Sequence, residues 1–195
     1  MRRSLSVSAV VLLALTTPIA LGQFAPGVPS TDDYVRLLKA TKYVETYKEM
    51  AAVSARVFGA RGLGSDKDYA RLMAVVAKAD LSDAESCLVG VYRSQDLTKQ
   101  DLIMLLSIFE SPLGIKLTQA SQRKLISDLE RGSVQPFPTD AFTEDEKREI
   151  MALRQNNAFR KYSLIGANPA VAKSMLSCIL ESRDVKSAGI PLGGK

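Results

Sequence analysis

The step Ser111-Pro112 constrains this 195-residue chain more than any other feature, because it divides two apolar runs that both have helical spacing. Pro112 disfavours helical backbone at Ser111 and lacks the N–H that would bond the carbonyl of residue 108. The same pair begins a helix well, with Ser111 as N-cap and Pro112 at the first helical position. Upstream, Thr98 is the expected N-cap of a helix in which Leu102, Leu105, Leu106 and Phe109 share one face. Asp101 lies three residues on, where a carboxylate complements the helix dipole. It is shorter than the Glu or Gln of a capping box, so that part of the signal is weak. Downstream, Leu113, Leu117, Leu125, Ile126 and Leu129 continue an apolar stripe until Gly132 stops it. Gly114 within that helix costs about 1 kcal/mol against Ala, and the expected compensation is close approach of another helix near the corner.

Phe109, Ser111, Pro112, Gly114 and Lys116 form a Phe-x-Ser-Pro-x-Gly-x-Lys run. On these residues the chain resembles a bacterial exported family, the domain of unknown function twenty fifty-nine. Ile108 and Glu110 flank Phe109, so the double aromatic of that family is reduced here to one. The preceding helix, with Leu88, Val91 and Tyr92, also looks like the family, and the resemblance covers residues 75–130. It implies an all-helical exported domain and brings no catalytic or binding residues to transfer.

The beginning of the chain agrees with export. Arg2 and Arg3 precede an uncharged run from Leu5 to Leu15, Pro18 breaks it, and Ala20-Leu21-Gly22 places small residues where a signal peptidase reads. This is the pattern of a secretory signal peptide, with cleavage expected after Gly22. The run is short for the ~20 apolar residues of a membrane span. Gln23 stands where a lipoprotein carries Cys. No later stretch has the length and apolarity of a span, so a soluble mature protein is expected, periplasmic or extracellular. Removal of 22 of the 195 residues leaves 173, one domain's worth, and loss of Arg2 and Arg3 takes the net charge from +5 to +3. Charges of both signs are mixed along every segment. No basic stripe with interleaved aromatics appears, so a nucleic-acid partner is not expected.

Residues 23–30, with Pro26, Gly27 and Pro29, read as a flexible leader. A helix is expected from Thr31 or Asp32 to Phe58, with Tyr43 and Tyr47 at the edge of the core. Gly59, Gly62 and Gly64 mark a turn, Ser65 and Ser82 open two further helices, and residues 133–142 form a loop. Thr143 and Glu146 make a full capping box. At an offset of 45 from Thr98, this box begins a second run in which Ser111 corresponds to Asn156 and Lys116 to Lys161. A duplicated helical hairpin and two unrelated capped helices both fit. A last helix runs from Asn168-Pro169 to Lys186 with Val171, Met175, Cys178 and Ile179 inward, and residues 188–195 read as a disordered tail. No strand alternation bounded by hairpin turns appears. The expectation is an all-α domain of about seven helices over 31–187.

The chain has no His, which excludes Ser-His-Asp and Cys-His nucleophiles and imidazole-ligated zinc. Its two Cys cannot make a four-thiolate site. The glycines at 59, 62 and 64 lack the Lys-Ser/Thr end of a phosphate loop. No cofactor is implied. Asp80, Asp83 and Glu85 gather near a helix start and are expected to complement its dipole. Lys116 and Lys161 fit a paired anion site at two helix starts, or solvated surface lysines. Cys87 and Cys178 are an even pair in an exported chain, which favours a disulfide; two buried thiols are the alternative. Three functions are consistent with this sequence: a non-enzymatic module binding a protein or envelope component, a carrier of small apolar ligands between helices, and a carboxylate-based hydrolase using a residue such as Glu110. An enzyme requires converging carboxylates with raised pKa values; a carrier requires an apolar cavity of ~300 Å³ or more; a binding module requires an exposed apolar patch.

Overall fold

A computed structural model describes residues 27–61 and 64–190. The expected signal peptide, the first half of the leader and the last five residues of the expected tail lie outside them. Every regular element among the described residues is helical, as expected. The α-helices are α1 (Thr31–Ala40), α2 (Tyr43–Arg61), α3 (Gly64–Lys78), α4 (Ser82–Arg93), α5 (Lys99–Phe109), α6 (Pro112–Arg131), α7 (Glu144–Leu153), α8 (Asn157–Ala167), α9 (Pro169–Leu180) and α10 (Arg183–Ser187).

Ten helices stand where about seven were expected, and three breaks account for the difference. The expected helix 31–58 is cut at Thr41-Lys42, where Lys42 adopts φ 50°. That left-handed position ordinarily takes Gly or Asn, so a Lys there gives no sequence signal. Thr41 closes α1 by donating from N and Oγ1 to the Leu37 carbonyl at 3.0 and 2.8 Å. A second break lies at Arg154–Asn156, where Asn156 Oδ1 caps α8 through the Phe159 amide at 3.0 Å. The third separates α9 from α10 at Ser182, whose buried hydroxyl donates to the Ile179 carbonyl. Gly59 lies inside α2 rather than in a turn.

Leu37, Leu88, Leu102, Leu105, Ile179 and Val76 are the largest fully buried side chains and bring α1, α3, α4, α5 and α9 to one core. In this core α1 packs on α5, α4 on α9 and α5 on α8, while α2 lies across α3 and α6. The loop after α6 is pinned by Phe142, buried with Leu113 and Ala120 in a second small cluster. Cys87 of α4 is joined to Cys178 of α9, with Cα atoms 5.6 Å apart.

The corner holds α5 against α6. Ser111 Oγ accepts from the Gly114 amide at 3.0 Å and donates to the Ile108 carbonyl at 2.7 Å. The helix that approaches Gly114 is α5 itself: a Cβ there would lie 1.9 Å from the Ile108 carbonyl oxygen. Asp101 exceeds its expected role. Its carboxylate accepts from Thr98 N and Oγ1 at 2.9 and 2.8 Å while Thr98 Oγ1 accepts from Asp101 N, so the short side chain closes a full capping box. Asp33 closes the same box with Ser30 at the start of α1, so an Asp at this position reaches the cap backbone without the extra methylene.

Candidate functional site

Lys116 and Lys161, read from sequence as solvated lysines or a paired anion site, are both paired with carboxylates of the chain itself. Lys116 bonds Glu146 at 2.7 Å and stands over the Phe142 ring at 5.1 Å. Lys161 bonds Asp101 at 2.8 Å. Each lysine therefore reaches the capping-box carboxylate of the other hairpin. Burial pushes the Asp101 carboxyl up, but the Lys161 ammonium and the Thr98 donors outweigh it and hold the group below the usual carboxylate range. Lys116, then the Thr143 amide, lower Glu146 in the same way. Asp33, Asp80 and Asp128 are lowered as well, Asp80 chiefly by the Ser82 amide. A carboxylate lowered on folding adds stability above its ordinary pKa and loses it as pH falls through the folded value. Urea midpoints are therefore expected to hold down to about pH 5 and fall steeply below about pH 4, with a shallower fall in Asp101→Asn. A midpoint independent of pH in that window overturns this assignment.

The other acidic residues named from sequence are also structural. Asp83 accepts from the Arg183 amide at 2.8 Å, and Asp184 accepts from the Asp80 amide at 2.8 Å, so this group fastens α10 to the start of α4. Glu110 faces solvent with both oxygens 2.9 Å from Arg36. No cluster of three potential metal ligands occurs among the described residues.

The distinctive site lies on the other side of the corner. A cleft of about 610 Å³ opens between α2, α6, α8 and α9, with Tyr92 of α4 and Phe109 of α5 at its base. Its residues contribute six aromatic rings, half of the twelve Phe and Tyr in the chain: Tyr43, Tyr47, Tyr92, Phe109, Phe159 and Tyr162. Leu117 and Leu125 of α6 and Met175 and Leu176 of α9 complete the apolar walls, and no charged side chain lines it. Local chemistry sets this arrangement. The left-handed Lys42 turns the first residues of α2 so that Tyr43 and Tyr47 enter the cleft. The Ser111-Pro112 corner fixes Phe109, whose ring meets Phe159 at 6.1 Å and Tyr162 at 5.1 Å. Tyr92 and Tyr162 lie parallel, 6.2 Å apart. Asn168-Pro169 bends the chain by 69° between α8 and α9, which lets both helices face the same space.

Phenols are neutral at physiological pH, and burial moves these further from ionising. It pushes Tyr43 up to about 12 and raises Tyr47, Tyr92 and Tyr162, so each remains a hydrogen-bond donor at any physiological pH. The surface is therefore an aromatic and aliphatic enclosure with neutral hydroxyls and no ion. It can desolvate an apolar body and orient one polar group; it offers no nucleophile–base pair.

Comparison with protein-family models, curated proteins and solved structures returns no match.

Of the corner-motif residues and the two cysteines, Phe109 alone lines the cleft. Thr98, Ser111, Pro112 and Gly114 build the corner behind it, Lys116 joins α6 to α7, and Cys87 and Cys178 tie α4 to α9. Tyr43 and Tyr47 stand at the edge of the main core, as expected, and also form a wall of the cleft. Their one-turn spacing was the available signal, and two tyrosines on one helix face read first as core edge and only second as a binding wall.

Proposed function

We propose that the protein is an exported, non-enzymatic carrier that takes one small, uncharged, apolar molecule into the cleft between α2, α6, α8 and α9. The supporting observation is the cleft itself: about 610 Å³, within the ~300–1,000 Å³ of small-molecule sites, and aromatic without a single charge in its lining. The carboxylates with displaced acidity are lowered, not raised, and none lines the cleft, which weighs against an acid–base hydrolase. The Cys87–Cys178 bond is compatible with an oxidising compartment, and the signal-peptide pattern and the likeness to the exported family belong to the same reading. No single helix among the described residues is long and apolar enough to cross a membrane. Docking to a protein or envelope component is a second reading, favoured by Met151 and Leu164, 65% and 68% exposed on α7 and α8.

The test is saturable binding of the neutral fluorophore N-phenyl-1-naphthylamine. Ser121→Trp, at a half-buried lining position, is expected to weaken it by about tenfold or more, because an indole fills the space the ligand needs. A helical spectrum must confirm that the variant folds. Unchanged affinity in folded Ser121→Trp, or no binding by the native chain, overturns the proposal.

We also infer that α5–α6 and α7–α8 are divergent copies of one hairpin. Support comes from the matched caps at Thr98 and Thr143 and at Ser111 and Asn156, and from the reciprocal pairs Lys116–Glu146 and Lys161–Asp101. Leu106 is buried where its counterpart Met151 is exposed, so the copies no longer share a core face. A superposition that cannot place Thr98 on Thr143 and Lys116 on Lys161 together overturns this.

A further inference from the structure

Thr118 carries the one buried side-chain oxygen that has no hydrogen-bond partner among the described residues. A buried hydroxyl left unbonded is unfavourable and calls for an explanation. Helical hydroxyls commonly return to the carbonyl four residues back. Ser163 and Ser174 do so, at 2.9 and 3.0 Å from the Phe159 and Ala170 oxygens. Thr118 does not, although Gly114 lies one turn before it on α6.

Its position gives the reason. Thr118 lines the cleft with Leu117 and Ser121 of α6 and the tyrosines of α2. Its oxygen is sealed from solvent while the residue is half-buried and lines the cleft, so the hydroxyl meets an occupant only after rotation about χ1. The neighbouring Gln122 amide is already held by the Glu49 carboxylate at 2.7 Å. That arrangement places a negative charge beside Gln122 and no cation in the lining, which opposes an anionic head group.

We propose that Thr118 holds the polar end of the ligand, and that the ligand is an uncharged amphiphile: an apolar body bearing one hydroxyl or carbonyl. This rests on the carrier reading above. The walls take the apolar body, and the neutral head meets Thr118 as donor or acceptor. A carboxylate amphiphile of the same length meets no compensating charge.

The experiment displaces N-phenyl-1-naphthylamine from the full mature chain with 1-dodecanol, 1-chlorododecane and dodecanoate. In the native protein the alcohol is expected to compete about five- to tenfold better than the chloride, the size of one hydrogen bond, and better than the carboxylate. Thr118→Val, nearly the same shape without the hydroxyl, closes the gap between alcohol and chloride; Thr118→Ser keeps it. If the fluorophore does not bind the native chain, the carrier reading fails and this inference with it. If it binds but alcohol and chloride compete equally, or Thr118→Val retains the gap, the Thr118 assignment fails while the carrier reading stands. Dodecanoate competing as well as dodecanol overturns the selection for an uncharged head.

Discussion

Gly114→Ala is expected to destabilise the protein by about 3 kcal/mol or more, at the upper end of what overpacking costs. In an ordinary helix interior the same change stabilises by about 1 kcal/mol, so the sign of the effect carries the test. The reason for the reversal is geometric. The added Cβ would lie 1.9 Å from the Ile108 oxygen and 2.8 Å from both the Ile108 carbonyl carbon and the Phe109 Cα. All three are backbone atoms, so no side-chain rotation relieves the contact, and the α5–α6 corner must open. Opening it breaks the Ser111 hydroxyl bridge between Ile108 and Gly114 and withdraws Phe109 from Phe159 and Tyr162. For a chain of this length the loss corresponds to a fall in melting temperature of about 6–12 °C by circular dichroism. Affinity for the naphthylamine fluorophore should fall too, because Phe109 forms the base of the cleft. A melting temperature equal to or above the native value overturns the close-approach account of Gly114.

The corner was legible in the sequence because each part of it is local chemistry. Thr98, Ser111, Pro112 and Gly132 act on backbone groups within a few residues, and they fall at the helix starts and stop that the pattern predicts. The inward stripe Leu102, Leu105, Leu106 and Phe109 is buried throughout for the same reason. The later stripe of α6 departs from expectation. Leu125 is 43% exposed because α6 runs past the core and turns that face to the cleft. What periodicity could not supply was the break at Lys42, where a left-handed residue is neither Gly nor Asn. Without that break Tyr43 and Tyr47 belong to a single long helix, and nothing directs them toward α8. Lys116 and Lys161 show the same limit: their spacing fitted solvated lysines or a paired anion site, while the folded chain supplies the anions itself as Glu146 and Asp101. The cleft assembles residues from α2, α4, α5, α6, α8 and α9. Its existence is a property of helix placement, and the run at residues 109–116 marks the corner and contributes only Phe109 to the lining.

The paired change Cys87→Ser with Cys178→Ser is expected to remove roughly 4 kcal/mol of stability under non-reducing conditions, the chain-entropy value for a closed loop of this size. The bond spans 91 positions, so the unfolded chain without it regains the freedom of nearly half the molecule. The folded state changes far less. Cys178 is buried beside Ile179, helices α4 and α9 pack on each other through the core, and Ser is close to Cys in volume. The variant should therefore keep its helical spectrum and bind the fluorophore at low temperature, while melting about 8–16 °C earlier. The two effects separate because the cleft depends on where α9 lies: Met175 and Leu176 line it one turn or less before Cys178. While the core holds α9, the cleft persists; when the weakened fold melts, binding and helicity should be lost at one temperature. Binding lost well before helicity would show that the bond positions α9 directly, in addition to restricting the unfolded chain. An unchanged melting temperature, or two alkylatable thiols in the denatured, unreduced native protein, would rule out the bond as a source of stability.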